Sequence, residues 1–279
     1  MKIIKSTLGL KKNLKELENI FLIPTMGNLH EGHLSLIKEA KKITNNIILT
    51  IFVNPIQFNS SIDLENYPRT LDLDIELLKK TDVSLLFKPS VSDIYPKDSN
   101  LSYKMPIVSN QLCGESRPGH FKGVITIIDR LIKLIKPSYV IFGKKDYQQL
   151  FLIKRFILDS GLPIKILSAP TIRDANNLAL SSRNNLLNAK DIISAASLNK
   201  QLKICTDSIV NGVKIDDAEL EAKNNLVKAG WKVDYFEIRR QTDLEKPSYN
   251  DIKLVALGAA TFGKVRLIDN IEFCIPTTN

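Results

Sequence analysis

Two of the three histidines in this 279-residue chain, His30 and His33, stand three residues apart in PTMGNLHEGHLSLIKEA, residues 24–40. An apolar, strand-like run precedes them and helical spacing follows. At i and i+3 on a first helical turn, the two rings point in similar directions. A helix start carries unpaired N–H groups and about half a positive charge. Gly27 and Gly32 permit the close backbone approach that a polyphosphate needs. Imidazoles there can donate to phosphoryl oxygens and offset charge building on a departing pyrophosphate. Two other readings compete. One histidine caps the helix while the other packs, or His30, His33 and distant His120 hold zinc, three histidines being enough for a catalytic site. The pair lacks the HExxH spacing and evident carboxylate support, which weakens the zinc reading. Glu31 reads as a solvated residue favouring the helix start.

Common phosphate cradles are absent from the sequence. GESRPGHF, residues 114–121, has GxxxxG spacing, but His120 and Phe121 stand where a P-loop needs Lys and Ser/Thr. No GxGxxG follows a strand. Other polar groups cluster at strand ends: Gln57 in NPIQF, and GKKD, Gly143–Asp146, followed by Gln149. A carboxamide offers both donor and acceptor, so it can hold hydroxyls and a carboxylate without adding charge. A lysine in its place would salt-bridge a carboxylate that had to act as nucleophile.

The elements that must position these groups follow from periodicity. Residues 20–24, 47–53, 83–89, 139–142 and 163–170 read as apolar strands. Residues 32–43, 71–82, 124–135 and 146–160 read as helices, the third stopped by Pro137 and the fourth closed by Gly161. Alternating, wholly apolar strands predict an α/β domain with a doubly wound parallel sheet, Rossmann-like, over residues 1–171. Ligands of such sheets sit at the strands' carboxyl ends, and three junctions with functional-looking residues fall on that edge. The pattern then changes. Helices at 191–210 and 216–230 with strands WKVDYFEIRR, KLVALGAA and VRLIDNIEF predict a smaller C-terminal α+β lid domain, residues 172–279. Residues 58–70, rich in Asn, Ser and Asp, read as a mobile flap.

Composition excludes some classes. The hydrophobic fraction of 44% is ample for a core. No apolar stretch reaches roughly 18 residues, so no membrane span or membrane partner is expected. The lysine-broken N-terminus lacks the apolar core of a signal peptide. Cys113, Cys205 and Cys274 form no CxxC pair and read as packed, inert thiols in a reducing cytoplasm. The net charge of +9 suits anionic ligands. Its lysines are scattered without aromatic interleaving, so no nucleic-acid partner is expected.

The stretch PTMGNLHEGHLSLIKEA closely resembles the nucleotide-binding signature of the pantoate–β-alanine ligase (pantothenate synthetase) family. That family belongs to the nucleotidyltransferase superfamily that shares HxGH with class I aminoacyl-tRNA synthetases. The resemblance recurs in order through VNPIQFNSSIDLENYPRTLDLD, LCGESRPGHFKGV, FGKKDYQQL, TIRDANNLALSSRN and RLIDNI, covering nearly the whole chain. HxGH alone is shared by many nucleotidyl-transferring enzymes; a run of such motifs in register is specific. The resemblance implies a two-step reaction. Pantoate's carboxylate attacks the α-phosphorus of ATP, giving pantoyl adenylate and pyrophosphate; the amine of β-alanine then attacks the activated carbonyl and releases AMP.

The resemblance also implies roles. Met26, Gly27, Asn28, Leu29, His30, Glu31, Gly32 and His33 would bind ATP, with His33 as the residue usually named proton donor. Gln57 and Gln149 would contact pantoate, Gln57 also β-alanine, with Gln148 turned away. Gly143, Lys144, Lys145 and Asp146 match an ATP-binding GEKD stretch. Lys145 would meet phosphate and Asp146 the ribose or the next helix start, whereas Lys144 replaces an acid and is expected in solvent. Leu180, Ser181, Ser182 and Arg183 match a counterpart of the synthetase KMSKS loop that would hold the β- and γ-phosphates. Ile172 would meet adenine through its backbone. Asn28, where alanine is common, is a departure a loop should tolerate. Arg117 and His120 would form pocket wall. Magnesium would arrive with ATP, without an assigned protein ligand, and family members are typically cytoplasmic homodimers. An adenylyl transferase that stops after the first step, and a non-catalytic RNA- or protein-binding chain, are the competing functions.

Overall fold

A computed structural model describes residues 1–96 and 102–276. The chain divides into two compact units, Met1–Lys144 with Gln149–Pro170, and Lys145–Gln148 with Thr171–Asn279.

The first unit is built on six strands: β1 (Lys2–Ile4), β2 (Phe21–Thr25), β3 (Ile47–Ile51), β4 (Leu85–Phe87), β5 (Tyr139–Gly143) and β6 (Lys165–Ala169). They form one sheet in the order β1-β4-β3-β2-β5-β6, every pair parallel. Between them run helices α1 (Thr7–Leu14), α2 (Glu31–Lys41), α3 (Ser61–Glu65), α4 (Leu71–Leu78), α5 (Val91–Ile94), α6 (Cys113–Ser116) and α7 (His120–Ile135), and α8 (Tyr147–Asp159) follows β5. The doubly wound fold expected from the sequence is present. Strand side chains alternate between faces. Phe21, Ile23, Ile47, Leu49 and Ile51 join Leu36, Ile37 and Ala40 of α2 and Leu78 of α4 in one buried core. Leu22 and Ile48 turn to the other face and are also fully buried. Burial on both faces explains why these strands read as unbroken apolar runs.

The chain moves outward from β2 to β3 and β4, then returns to place β5 on the other side of β2. That reversal is a topological switch point, and the loops after β2 and β5 leave the same edge on either side of it. The loop after β2 ends at His30, with His33 on the first turn of α2; the strand after which Lys144 follows is β5.

Several elements lay outside the sequence reading. Lys2–Ile4 pairs with β4 as an edge strand, too short to show alternation among lysines. Residues 58–70, expected as a flap, contain α3, N-capped by Ser60. There Phe58 and Tyr67 meet edge to face at 5.6 Å, and Arg69 donates to the carbonyls of Leu64, Glu65 and Tyr67. Among the described residues no helix is long and apolar enough to cross a membrane.

The second unit is an antiparallel meander, β7 (Trp231–Arg240), β8 (Lys253–Phe262) and β9 (Val265–Cys274), with helices α9 (Ala189–Ala195), α10 (Ser197–Val210) and α11 (Ile215–Lys228). Leu198, Leu202 and Cys205 of α10 and Ala218, Ala222 and Leu226 of α11 pack with Trp231, Phe236, Leu254 and Ala256 in one core. This is the α+β architecture expected from the C-terminal pattern. Cys113 and Cys205 are buried, and burial pushes the Cys205 thiol up to about 12. Cys274 departs from the packed thiol expected: at the last position of β9 it is exposed.

Candidate active site

The two histidines share one geometry. His30 is the N-cap of α2, and its Nδ1 accepts the Gly32 N–H at 3.1 Å. His33 Nδ1 reaches back to accept the His30 N–H at 3.3 Å, so the pair forms a capping box made of imidazoles. The ring centroids lie 4.2 Å apart. A backbone N–H can only donate, so both Nδ1 atoms are unprotonated acceptors. Each neutral ring therefore carries its proton on Nε2 and presents a donor there. The capping posed above as an alternative is present in both histidines, and it takes Nδ1 of each ring.

Gly32 is required for a different reason from close phosphate approach. A Cβ there would stand 2.8 Å from Cε1 of His30, so any other residue would push the ring from its place over the helix start. Other N–H groups of the loop are also engaged. Gly27 and Asn28 are consecutive left-handed residues, φ 82° and 50°, which turns successive N–H groups toward a common acceptor. That acceptor is Asp74 of α4: its carboxylate takes Asn28 N–H at 2.9 Å, Leu29 N–H at 2.8 Å and the Thr70 hydroxyl at 3.2 Å. Asparagine suits the left-handed position better than alanine does, which accounts for Asn28. In this loop the N–H groups of Asn28, Leu29, His30 and Gly32 are engaged within the protein, the last two by the imidazole Nδ1 atoms.

Asp74 is 3% exposed and was missed by sequence reasoning. Its signal was there: Leu71, Asp74, Ile75 and Leu78 fall at helical spacing, so a carboxylate interrupts the inward stripe.

The turn after β3 holds Gln57, 7% exposed, in the 3-10 turn Pro55–Gln57. Its carboxamide is oriented by a chain of donors. Tyr95 hydroxyl donates to Asn54 Oδ1 at 2.7 Å, Asn54 Nδ2 donates to Gln57 Oε1 at 2.9 Å, and Gln57 Nε2 donates to Met26 Sδ at 3.2 Å. Burial raises the Tyr95 phenol far above its ordinary value, against the pull of Arg130, so it stays a donor. Gln57 thus lies beside the histidine loop. Its backbone is held too: a Cβ on Gly123 of α7 would come within 2.7 Å of the Gln57 Cα, and His120 Nδ1 donates to the Gln57 carbonyl at 2.7 Å. The other ring nitrogen of His120 faces Arg117 Nη1 at 3.2 Å. With both nitrogens so engaged, His120 is a buried brace and not a third zinc ligand. Asn54 and Tyr95 were not foreseen; an Asn–Pro pair ending an apolar strand was the one available hint.

Gln149 is half-buried in the first turn of α8, while Gln148, expected to turn away, is 5% exposed. Lys144 is half-buried rather than in solvent, and Asp146 is exposed. In the second unit the Lys145 carbonyl accepts from Asn270 Nδ2 at 2.9 Å. Ile172 accepts the Leu180 N–H at 2.9 Å, closing a hairpin that leads into Ser181, which N-caps the turn Ser182–Leu186 by accepting the Arg183 N–H at 3.2 Å.

An imidazole pair at the end of the central strand of a parallel sheet, beside its switch point, defines a nucleotide-using α/β enzyme. The sequence profile of one family, described as pantoate-beta-alanine ligase, matches residues 2–272. The chain belongs to the pantoate–β-alanine ligase family. It is 44% identical over 258 residues to the pantothenate synthetase of Shewanella sp. strain ANA-3, covering 92% of each chain. A crystal structure of pantothenate synthetase from Thermus thermophilus matches with TM-score 0.91 and 33% identity, covering 97% of this chain and 99% of that one. The pantoate-beta-alanine ligase of Francisella tularensis, complexed with beta-gamma ATP and beta-alanine, matches with TM-score 0.81 and 36% identity over 97% of both chains.

Proposed function

We propose the following division of labour for the reaction of this family. The chain is an ATP-dependent ligase that condenses pantoate with β-alanine through pantoyl adenylate, releasing pyrophosphate and AMP. In the first step a carboxylate oxygen of pantoate bonds to the α-phosphorus as the bond to pyrophosphate breaks. In the second, the β-alanine nitrogen bonds to the acyl carbon and AMP leaves.

His30 and His33 donate from Nε2 to phosphate oxygens and stabilise the charge that moves onto pyrophosphate, His33 being the proton donor. Such transfer rests on positioning and charge more than on covalent help. Met26, Gly27, Asn28, Leu29, Glu31 and Gly32 line the nucleotide with them. Gln57 and Gln149 hold pantoate through uncharged amides, which leaves its carboxylate nucleophilic, and Gln57 also meets β-alanine. Gly143, Lys144, Lys145, Asp146, Ile172, Leu180, Ser181, Ser182 and Arg183 complete ATP binding, Lys145 and Arg183 as cations for the phosphates. In this reading residues 1–171 form the domain that binds ATP and pantoate, and residues 172–279 form the lid.

Magnesium enters as the ATP complex. Imidazoles and amides are poor ligands for a hard cation, and Asp74 already accepts three hydrogen bonds. Phosphate oxygens and water would therefore carry the ion, which lowers the phosphate charge. A homodimer in the cytoplasm belongs to the same proposal; three free cysteines suit a reducing compartment. Sedimentation at the mass of a single 31.4 kDa chain would remove the dimer.

The observation that supports this reading most directly is the matched orientation of the imidazoles, each committing Nδ1 to the helix start and presenting Nε2–H. The test is AMP release with pantoate, β-alanine and ATP, each omitted in turn. AMP should require all three. Pyrophosphate and an adenylylated product formed without β-alanine, at steady turnover, would favour the adenylyl transferase instead.

A further inference from the structure

The motif RLIDNI, residues 266–271, lies on β9. Its Asp269 is buried and gathers three neighbours. Arg173 donates to it through both terminal nitrogens at 2.6 and 2.9 Å, Asn199 Nδ2 at 2.9 Å and the Asn270 N–H at 2.8 Å. Bidentate arginine–carboxylate pairs fix geometry as well as charge. Arg173 follows Ile172 and forms an isolated antiparallel bridge with Ala179, so this pair sets the turn that precedes the Leu180–Arg183 loop. The next residue, Asn270, is buried as well and donates to the Lys145 carbonyl. Two positions on, Glu272 accepts the Tyr147 hydroxyl at 2.9 Å. Burial, then Glu272, raises that phenol far above its ordinary value, so the donor persists at every working pH.

Neighbouring residues of a strand face opposite ways, while residues two apart share a face. Asp269 therefore works on the face that α10 covers, and Asn270 with Glu272 hold Lys145 and Tyr147 from the other. One short stretch of β9 thus holds two segments of the proposed nucleotide site, Lys145 by its main-chain carbonyl and Arg173 by its guanidinium. The contact to Lys145 takes its main-chain carbonyl and leaves its ammonium out. A carboxylate at position 270 could have paired with that ammonium and cancelled it; a carboxamide holds the chain and preserves the charge for phosphate.

We propose that Asp269 and Asn270 are positioning residues of the nucleotide site, Asn270 acting through Lys145 and Asp269 through Arg173. This rests on the reading of Lys145 as a phosphate ligand. The experiment measures KM for ATP and for pantoate by pantoate-dependent pyrophosphate exchange, together with the Tm without ligand. It uses Asn270→Ala, Lys145→Ala and the double variant. Asn270→Ala should raise the ATP KM roughly tenfold, since a misplaced ligand loses binding steeply, and leave the pantoate KM unchanged. The double variant should bind ATP no worse than Lys145→Ala, the mark of residues acting as one unit. Should Asn270→Ala not fold, Asn270→Ser keeps a hydroxyl donor and should give a smaller rise in ATP KM; no rise overturns the proposal. An unaltered ATP KM in Asn270→Ala, or losses that add fully in the double variant, also overturn it while Lys145 keeps its role. An unaltered ATP KM in Lys145→Ala would instead remove Lys145 from the phosphates, and the proposal with it.

Discussion

His30 and His33 cap one helix start together, each through Nδ1, and so share one tautomer. Protonating either ring at Nδ1 would end its cap. With Nδ1 of each ring accepting a backbone N–H, the ring proton stands on Nε2, the nitrogen proposed to meet phosphate.

That relationship separates two effects in one position. His33→Ala removes both the cap and the donor, and losing a cap alone costs about 0.5–2 kcal/mol. In His33→Asn the side-chain oxygen can take the place of Nδ1 while no donor reaches where Nε2 stood. Thermal melts should show His33→Asn more stable than His33→Ala, with turnover of both lower by orders of magnitude. Wild-type-like turnover in His33→Asn would take His33 out of the chemistry.

Asp74 should matter to ATP although it faces the loop's backbone rather than its ligand side. Asp74→Asn keeps the size but offers one acceptor where two N–H groups converge. Leaving one buried N–H unpaired costs about 1–3 kcal/mol. The Tm should fall and the ATP KM rise, with the pantoate KM less affected. An unaltered melt and ATP KM would deny Asp74 its anchoring role.

Asn54→Ala should strike pantoate instead. It strips Gln57 Oε1 of its donor and frees the carboxamide to rotate. The pantoate KM should rise more than the ATP KM, and Tyr95→Phe should reproduce a weaker form of the same bias. Equal changes in both constants would argue against Gln57 as the pantoate amide.

The thiols give a pH test. The folded Cys205 pKa stands near 12, raised from an ordinary 9.0, first by burial and then by Glu219 and Glu221. A raised folded pKa stabilises fully below the unfolded value and loses that contribution as pH climbs from about 9 to about 12. Cys205→Ala should therefore flatten the alkaline fall in Tm. At pH 8 a thiol reagent should label Cys274 in the native protein and Cys205 only after unfolding. Rapid native labelling of Cys205 would contradict its burial.

How much of this was legible in the sequence depends on the kind of signal. The parallel sheet was, because strands buried on both faces must be almost wholly apolar, as 47–51 are but for Thr50. The C-terminal meander showed in its three long strand-like runs. β1 was hidden because an edge strand of three residues, flanked by lysines, leaves no periodic trace. In the site, His30, His33 and Gln57 stood out as rare polar groups at strand ends. Asp74, Asn54, Tyr95 and Asn270 did not, because their importance lies in tertiary hydrogen bonds to backbone and amides far away in sequence. The reason for Gly32 was also out of reach: the ring it accommodates is two residues away, and only the fold reveals that the ring lies across it.

The central claim is that this chain activates a carboxylate on ATP before any amine takes part. Incubation with ATP, magnesium, pantoate and labelled pyrophosphate, with β-alanine absent, tests it directly. Label should enter ATP, and should cease to when pantoate is withheld. Exchange that proceeds equally well without pantoate, or none at all with it present, would contradict the account.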